Sequence, residues 1–207
     1  MSQPYIRNWA RVAILSAAAI ASAASAQVGG KREGYVFLEA VRDRDGTVAT
    51  DMVEQPGGDS LVNTRDLSSG DTALHIVAAR RDNAWIRFLG LNGANPNLTN
   101  KAGETPLMIS TRLGHIEGVT ALLEIGARVD PLSSTGETPL IFAVHGRDVA
   151  LVRVLLANGA NPDRTDNSGR SARDYVALMN ERRLTEAFAE ADKAREGAAN
   201  EDYGPSL

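Results

Sequence analysis

The chain has 207 residues, 22 Lys and Arg against 26 Asp and Glu, and no cysteine. Without cysteine it can form no disulfide, no thiolate metal site and no cysteine nucleophile, so the fold must be held by packing alone. The excess of acidic residues argues against nucleic acid as a partner, because binding to phosphates depends on neutralisation by Lys and Arg.

The first 26 residues have the composition of a secretory signal peptide. Arg7 and Arg11 precede a short apolar stretch at 12–21, and small residues follow it. The stretch is too short and too rich in alanine to cross a bilayer comfortably, since a spanning helix needs about 20 strongly apolar residues. We therefore expect a signal peptide at 1–26.

The small-x-small pattern places the cleavage between Ala26 and Gln27, with a linker at 27–34. Removal of the leader would change the formal net charge from −4 to −6. We expect the mature protein to be periplasmic or secreted. The alternative is an uncleaved segment that tethers the chain to the inner membrane.

A spacing of 33 residues governs most of the remaining chain. The residues at this spacing are glycines in two series: Gly70, Gly103, Gly136 and Gly169, and then Gly93, Gly126 and Gly159. The words around the first series repeat as well: Gly-Asp-Thr-Ala-Leu-His, Gly-Glu-Thr-Pro-Leu-Met and Gly-Glu-Thr-Pro-Leu-Ile. A long fixed period means that one supersecondary unit is copied and stacked, so the sequence predicts a solenoid.

Each unit predicts a turn, a short helix, a second turn and a second helix. Gly103 can adopt the positive φ of a tight turn, and Thr105 then caps a helix whose first residue is Pro106. Thr72 and Thr138 occupy the same capping position. Residues at helical spacing i, i+3 and i+4 form a stripe in each first helix: Leu74, Val77, Ala78; Leu107, Ser110, Thr111; Leu140, Ala143, Val144.

These words and their spacing resemble the ankyrin repeat family. The Thr-Pro-Leu-His word and the turn-plus-two-helices unit recur over 66–165, which holds three full repeats. The resemblance implies an all-α solenoid. The flanks match less well and are interpreted as degenerate N- and C-terminal capping repeats, because an end repeat must present a polar face to water. We expect the ankyrin repeat domain at 35–195 and a disordered tail at 196–207.

Apolar residues at helical spacing predict both caps. In the N-terminal cap, which a loop at 56–59 lengthens, they are Phe37, Ala40, Val41, Val48, Met52 and Val53. In the C-terminal cap they are Leu184, Ala187, Phe188 and Ala191.

Three histidines are the candidates for acid–base chemistry near neutral pH. The ankyrin resemblance implies that His75 is a structural imidazole that bridges adjacent turns, and that His115 has a structural role between two helices. His145 is predicted to be a surface residue, with a partner contact as the alternative. Because each repeat rises roughly 10 Å from the last, histidines in different repeats cannot meet. We therefore expect no catalytic activity and no cofactor.

Two acidic segments begin like calcium-binding loops, at Asp43 and at Asp163. The first lacks the later oxygen ligands, and the second has Ser168 where such a loop requires glycine. The sequence therefore predicts no metal site.

The residue between each turn glycine and each capping residue is predicted to lie along the rim of the solenoid. Three of the four are acidic, which predicts a partner protein with a basic patch. The resemblance implies that partners bind the concave face, formed by turn tips and first helices. The candidate partner-binding residues at these positions are Asp71, Arg80, Lys101, Glu104, Arg112, Leu113, Ser134, Glu137, His145, Asn167 and Arg170. The alternative interpretation is a solvated face with charges of no function.

The sequence therefore predicts a bacterial, exported, monomeric ankyrin-repeat protein that acts as an adaptor or scaffold without performing chemistry. Inhibition of a periplasmic enzyme, itself a form of protein binding, is a further alternative.

Overall fold

The computed structural model describes residues 33–201. The predicted signal peptide (1–26) lies outside the described residues, as do most of the predicted linker and residues 202–207. The described residues form eleven helices: α1 (33–43), α2 (Gly46–Glu54), α3 (Gly58–Val62), α4 (Ala73–Ala79), α5 (Asn83–Leu91), α6 (Pro106–Arg112), α7 (Ile116–Glu124), α8 (Pro139–His145), α9 (Val149–Ala157), α10 (Ala172–Met179) and α11 (Arg182–Glu201).

The helices stack in two rows. The first helices of successive repeats contact one another in the order α4, α6, α8 and α10, and the second helices in the order α5, α7, α9 and α11. Apart from an isolated bridge between Thr165 and Ser171, the segment 33–201 contains no β-structure. The all-α solenoid of three regular repeats between two caps is confirmed.

The first helices begin at the predicted N-cap threonines. The Thr105 hydroxyl accepts the backbone N–H of Met108 at 3.3 Å, and Thr138 accepts that of Ile141 at 3.3 Å. A proline follows each threonine as the first helical residue, where its missing N–H leaves no hydrogen bond unmade. Gly70 has φ 76°, and a Cβ there would lie 2.9 Å from the backbone nitrogen of Lys101. That glycine is therefore required by both the turn and the next repeat.

The predicted stripe of the first helices is the centre of the core. All nine of its residues are at most 4% exposed, including Ser110 and Thr111. Thr111 is accommodated because its hydroxyl donates to the Leu107 carbonyl oxygen at 2.8 Å.

The N-terminal cap differs in detail from the prediction. Residues 33 and 34 of the predicted linker belong to α1, and α3 includes the second half of the predicted loop 56–59. Val48, expected in the core, is 39% exposed, whereas Ala49 and Val53 are buried. The reason is the helix start: Asp45 caps α2 by accepting the Val48 N–H at 3.0 Å, and this phase turns positions 49 and 53 inward.

The C-terminal cap is confirmed and is longer than expected. Leu184, Ala187 and Phe188 are buried, and Ala191 packs against the core from a half-buried position. Helix α11 continues to Glu201, so the predicted disordered tail 196–207 begins as helix. The physical reason is composition, because alanine and glutamate, which favour helix, dominate the segment.

None of the helices within 33–201 combines the length and the apolar character that crossing a membrane requires.

Candidate protein-binding surface

Each of the four turns begins with a side chain that accepts backbone N–H groups. Asn100 Oδ1 accepts the N–H of Ala102 and of Glu104, both at 3.0 Å, and Ser133 Oγ accepts that of Glu137 at 3.1 Å. Asp66 and Asp166 begin the other two turns in the same manner. The rim residues are therefore held by side-chain-capped turns.

Hydrogen bonds to the two turn aspartates change their acidity. The pKa of Asp66 is well below its usual range, first because the Ser68 hydroxyl donates to it and then because backbone N–H groups do. The pKa of Asp166 is lowered in the same direction, first by the Tyr175 hydroxyl, which donates to Oδ2 at 2.6 Å. Both carboxylates stay ionised and hold their turns over the ordinary pH range.

Neighbouring turns are also joined to one another. The backbone N–H of Lys101 donates to the Ser69 carbonyl oxygen at 2.9 Å, and its Nζ donates to the Leu67 carbonyl oxygen. The Asn167 side chain donates to the Ser134 carbonyl oxygen at 3.3 Å. Hydrogen bonds therefore join the first turn to the second and the third turn to the fourth. The side chains of the predicted turn-tip residues Lys101 and Asn167 form part of these links, and Ser134 accepts one of them through its backbone.

The central feature of the rim is a pair of matched contacts, each between a glutamate and a basic side chain, which we call the rim pairs. Glu104, before α6, contacts Arg112, the last residue of α6. Glu137, before α8, lies 3.2 Å through Oε1 from Nδ1 of His145, the last residue of α8. The two pairs occupy equivalent positions, 33 residues apart, so Glu104 and Glu137 of the predicted acidic ladder each contact a basic side chain at the end of the first helix that follows.

The rim changes character at its two ends. The position equivalent to Arg112 is Ala79 in the first regular repeat, and Asp71 instead accepts the Asn100 amide at 2.9 Å. In the C-terminal cap the rim residue is Arg170 and the equivalent helix position is Leu178, which is 68% exposed. The rim therefore runs from an acidic end to an end with a cation and an exposed leucine.

Two predicted surface residues are placed differently. The Arg80 side chain, expected to be exposed, is only 13% exposed; it lies over the Trp85 ring, pairs with Asp82 and donates to the Val41 carbonyl oxygen of α1. The reason is the period, because the 33-residue equivalent of Arg80 is Leu113, not Arg112. Leu113 is likewise half-buried against the core.

The histidines occupy three different environments. His75 is 1% exposed; its Nδ1 accepts the Thr72 N–H at 3.1 Å, and its Nε2 donates to the Glu104 carbonyl oxygen at 2.9 Å. The predicted structural bridge between turns is thus confirmed. His115 is buried at the start of α7, whereas His145 is exposed, with its ring edge-on to Tyr175 at 4.4 Å.

Burial lowers the pKa of both His75 and His115, so both imidazoles are held neutral. The three histidines belong to three successive repeats and do not share a cleft. Over residues 33–201 there is also no group of three histidine, aspartate or glutamate side chains close enough to hold a metal ion.

A shallow hollow of about 440 Å³ lies on the opposite side, between α9 and α11. Its floor is apolar, with Leu156, Ala187 and Ala191, and its charged edge residues Arg153 and Glu190 pair with each other at 3.0 Å. The rim pairs are therefore separate from this hollow.

Comparison with known families gives a match to a model of ankyrin repeats in three copies, over residues 38–131 and 74–166. The match extends from α1 in the N-terminal cap through the third regular repeat. It includes the N-terminal flank from residue 38, which the sequence words alone identified less clearly.

Individual relatives are similar over shorter segments. The nuclear factor NF-kappa-B p110 subunit of Drosophila melanogaster is 44% identical over 64 residues, which are 30% of this chain and 6% of the relative. An ANK repeat-containing protein of Caenorhabditis elegans is 38% identical over 84 residues, 36% of this chain and 14% of the relative. A putative ankyrin repeat protein of fowlpox virus is 40% identical over 48 residues, which are 23% of this chain and 14% of the relative. This chain spans only a small part of each of these relatives.

Proposed function

This chain belongs to the ankyrin repeat family, and on that premise we propose that it is a non-catalytic adaptor or scaffold that binds a partner protein through its rim. Ankyrin repeats are protein–protein interaction modules, and proteins built from them are in general binding modules without catalytic activity. The proposed surface consists of the rim pairs and the turn tips, bounded by Asp71 at one end and by Arg170 and Leu178 at the other.

The observation that carries the proposal is the recurrence of the rim pairs. Stacked turns hold Glu104 and Glu137 at a fixed spacing before any partner arrives, so little ordering entropy is lost on association. The Glu104 and Glu137 side chains are 22% and 19% exposed, and both reach the surface. A partner with a basic patch would compete with Arg112 and His145 for these carboxylates, which would make its association rate fall with added salt.

We also propose that the protein is exported to the periplasm. The basis is the composition of residues 1–26, with two arginines before a short apolar stretch and a small-x-small site before Gln27. The same stretch favours a second candidate, an inner-membrane scaffold that keeps its N-terminal segment. Sequencing of the mature N-terminus separates the two, since a start at Gln27 excludes the tether.

Affinity capture from a periplasmic extract tests the binding surface. The wild-type chain is compared with the double variant Glu104→Lys and Glu137→Lys, whose helix content is checked by circular dichroism. We expect the double variant to keep its helicity and to lose the captured partner.

The structure offers a matched control on the second helices. Glu124 of α7 and Glu190 of α11 also form surface ion pairs, with Arg87 at 3.1 Å and Arg153 at 3.0 Å. The variant Glu124→Lys, Glu190→Lys makes the same change of net charge away from the rim and should retain the partner. Equal loss from both double variants would mean that only net charge matters, and full retention by the rim variant would refute the assignment.

A further inference from the structure

A ladder of side-chain hydrogen bonds joins the loops that connect one repeat to the next. Asn63 Oδ1 accepts the Asn95 N–H at 2.8 Å, and its amide nitrogen donates to the Gly93 carbonyl oxygen at 3.0 Å. One side chain thus satisfies a donor and an acceptor of the next loop, using both functions of an amide.

The next connecting loop repeats these two bonds. Asn97 Oδ1 accepts the Arg128 N–H at 2.8 Å, and its amide nitrogen donates to the Gly126 carbonyl oxygen at 3.1 Å. Gly93 and Gly126 belong to the second of the two glycine series with the 33-residue spacing, so this pair of hydrogen bonds is a property of the repeat.

The third rung carries an aspartate. Asp130 Oδ2 accepts the Asn161 N–H at 2.9 Å, as the asparagine oxygens do. Its Oδ1 is buried and has no hydrogen-bond partner within the described residues. Asp130 Oδ1 occupies the position that the amide nitrogen has in Asn63 and Asn97. Those nitrogens donate to the carbonyl oxygens of Gly93 and Gly126, and the equivalent acceptor for Asp130 would be the carbonyl oxygen of Gly159.

We propose that Asp130 is a proton-dependent latch between the second and third regular repeats. Its protonated carboxyl would donate to the Gly159 carbonyl oxygen, as the asparagine amides do on the other rungs. Its carboxylate has no proton to donate, so the buried Oδ1 and the Gly159 carbonyl oxygen, which are both acceptors, would form no bond and the joint would be weaker.

Burial favours the protonated form of Asp130, whereas the surrounding charges oppose it. Arg164 of the following loop and Arg195 of α11 favour the carboxylate, as does the Asn161 N–H, but burial outweighs them and raises the pKa of Asp130. Arg195 is held by its own bond to the Ala160 carbonyl oxygen.

The fourth position of the series shows the contrast. Asp163 is exposed and lies 2.9 Å through Oδ1 from Nε of Arg173. Of the two aspartates in this series, Asp163 is therefore paired with an arginine of the C-terminal cap. Oδ1 of Asp130 has no such partner within the described residues.

The direction of the pH effect follows from proton binding. Between the ordinary pKa of aspartate, about 3.9, and the raised pKa in the folded state, the folded chain binds more protons than the unfolded chain. The contribution of Asp130 to the free energy of unfolding therefore rises as the pH falls through this window. The joint should be stronger under mildly acidic conditions than at neutral pH.

The variant Asp130→Asn tests the latch, because an amide restores the donor at every pH. Urea unfolding is followed at about pH 7 and about pH 4, and only the difference between variant and wild type is used, since all other carboxylates titrate in both. At neutral pH we expect a higher urea midpoint for the variant than for the wild type. At acidic pH the difference between the two midpoints should be no more than half as large. A midpoint that is unchanged or lower at neutral pH, or a difference independent of pH, would overturn the proposal.

Two further measurements keep the test independent of overall stability. The reverse change, Asn97→Asp, introduces the carboxylate one joint earlier and should lower the neutral midpoint and regain it on acidification; no effect would overturn the equivalence of the rungs. In the wild-type chain, the carboxyl carbon of Asp130 should titrate at a higher pH than aspartate in an unfolded peptide. An ordinary midpoint would overturn the latch directly.

Discussion

Nε2 of His75 lies 2.9 Å from the backbone carbonyl oxygen of Glu104, so one imidazole joins the first helix of one repeat to the rim of the next. The Thr72 N–H can only donate, which makes Nδ1 the acceptor and places the single proton on Nε2. Because Glu104 belongs to a rim pair, the buried histidine fixes the backbone from which the proposed binding surface projects.

Replacement of this histidine should destabilise the fold. His75→Ala removes a buried ring and leaves the Thr72 N–H and the Glu104 carbonyl oxygen unsatisfied, which should cost roughly 2–4 kcal/mol. Urea unfolding followed by circular dichroism measures this loss. His145→Ala, at an exposed position, is the control and should change stability by less than about 0.5 kcal/mol. Equal effects would show that the bridge does not contribute.

The buried histidines also predict how stability depends on pH. Burial lowers the pKa of His75 and His115 in the folded state, so between that lowered value and about 6.5 the unfolded chain binds more protons. The contribution of these two histidines to the free energy of unfolding should therefore fall as the pH decreases below about 6.5. His75→Gln and His115→Gln should each remove part of this slope in urea midpoints measured from about pH 7 to about pH 5. Variants with the wild-type slope would contradict this explanation.

Much of the fold follows from the period of the sequence. Thr105 and Thr138 cap their helices as predicted, and His75 bridges the turns, because these residues repeat at positions whose local geometry is the same in every unit. The period also accounts for the partial burial of Arg80, whose equivalent is Leu113, but it does not identify the partner of Arg80. Its partner, the Val41 carbonyl oxygen, belongs to the degenerate cap, where the period does not hold.

The connecting-loop ladder was missed by the sequence analysis although a signal was present. Asn97 and Asp130 are 33 residues apart, but Asn63 precedes Asn97 by 34, because the turn from Asp66 to Gly70 has one more residue than the later turns. A strict search at one spacing loses the first rung. The contacts of Glu104 with Arg112 and of Glu137 with His145 were also missed, since pairing depends on which way the side chains turn.

Gly118 lies inside α7, and the effect on stability predicted for its replacement by alanine is opposite to what helix propensity alone predicts. An alanine in place of a helical glycine ordinarily stabilises a helix by about 0.5–1 kcal/mol. At Gly118, however, an added Cβ would overlap the buried imidazole of His115, with Cε1 at 2.7 Å. Gly118→Ala should therefore destabilise the chain by about 1–3 kcal/mol in thermal or urea unfolding.

Gly197 of α11 is the matched control for this substitution. A Cβ there has no neighbour within 4 Å, so Gly197→Ala should be neutral or stabilising by up to about 1 kcal/mol. A stabilising effect of Gly118→Ala would contradict the close contact between Gly118 and the His115 ring.

The stacking of first helices predicts a large effect at Leu140. This side chain is fully buried at the position equivalent to Leu74 and Leu107, so Leu140→Ala should lower the free energy of unfolding by about 2–5 kcal/mol. Leu91 is 87% exposed, and the same substitution there should have little effect. A loss below about 1 kcal/mol at Leu140 would mean that the repeats do not pack in this register.

The rim as the site of partner binding is tested most directly by hydrogen exchange on the complex with the captured protein. Backbone amides of the turns that carry the rim pairs, 100–104 and 133–137, should become protected when the partner binds, and those of α7 and α9 should exchange at the same rate as in the free chain. Protection confined to the second helices, with both turns unchanged, would contradict the assignment of the rim as the binding surface.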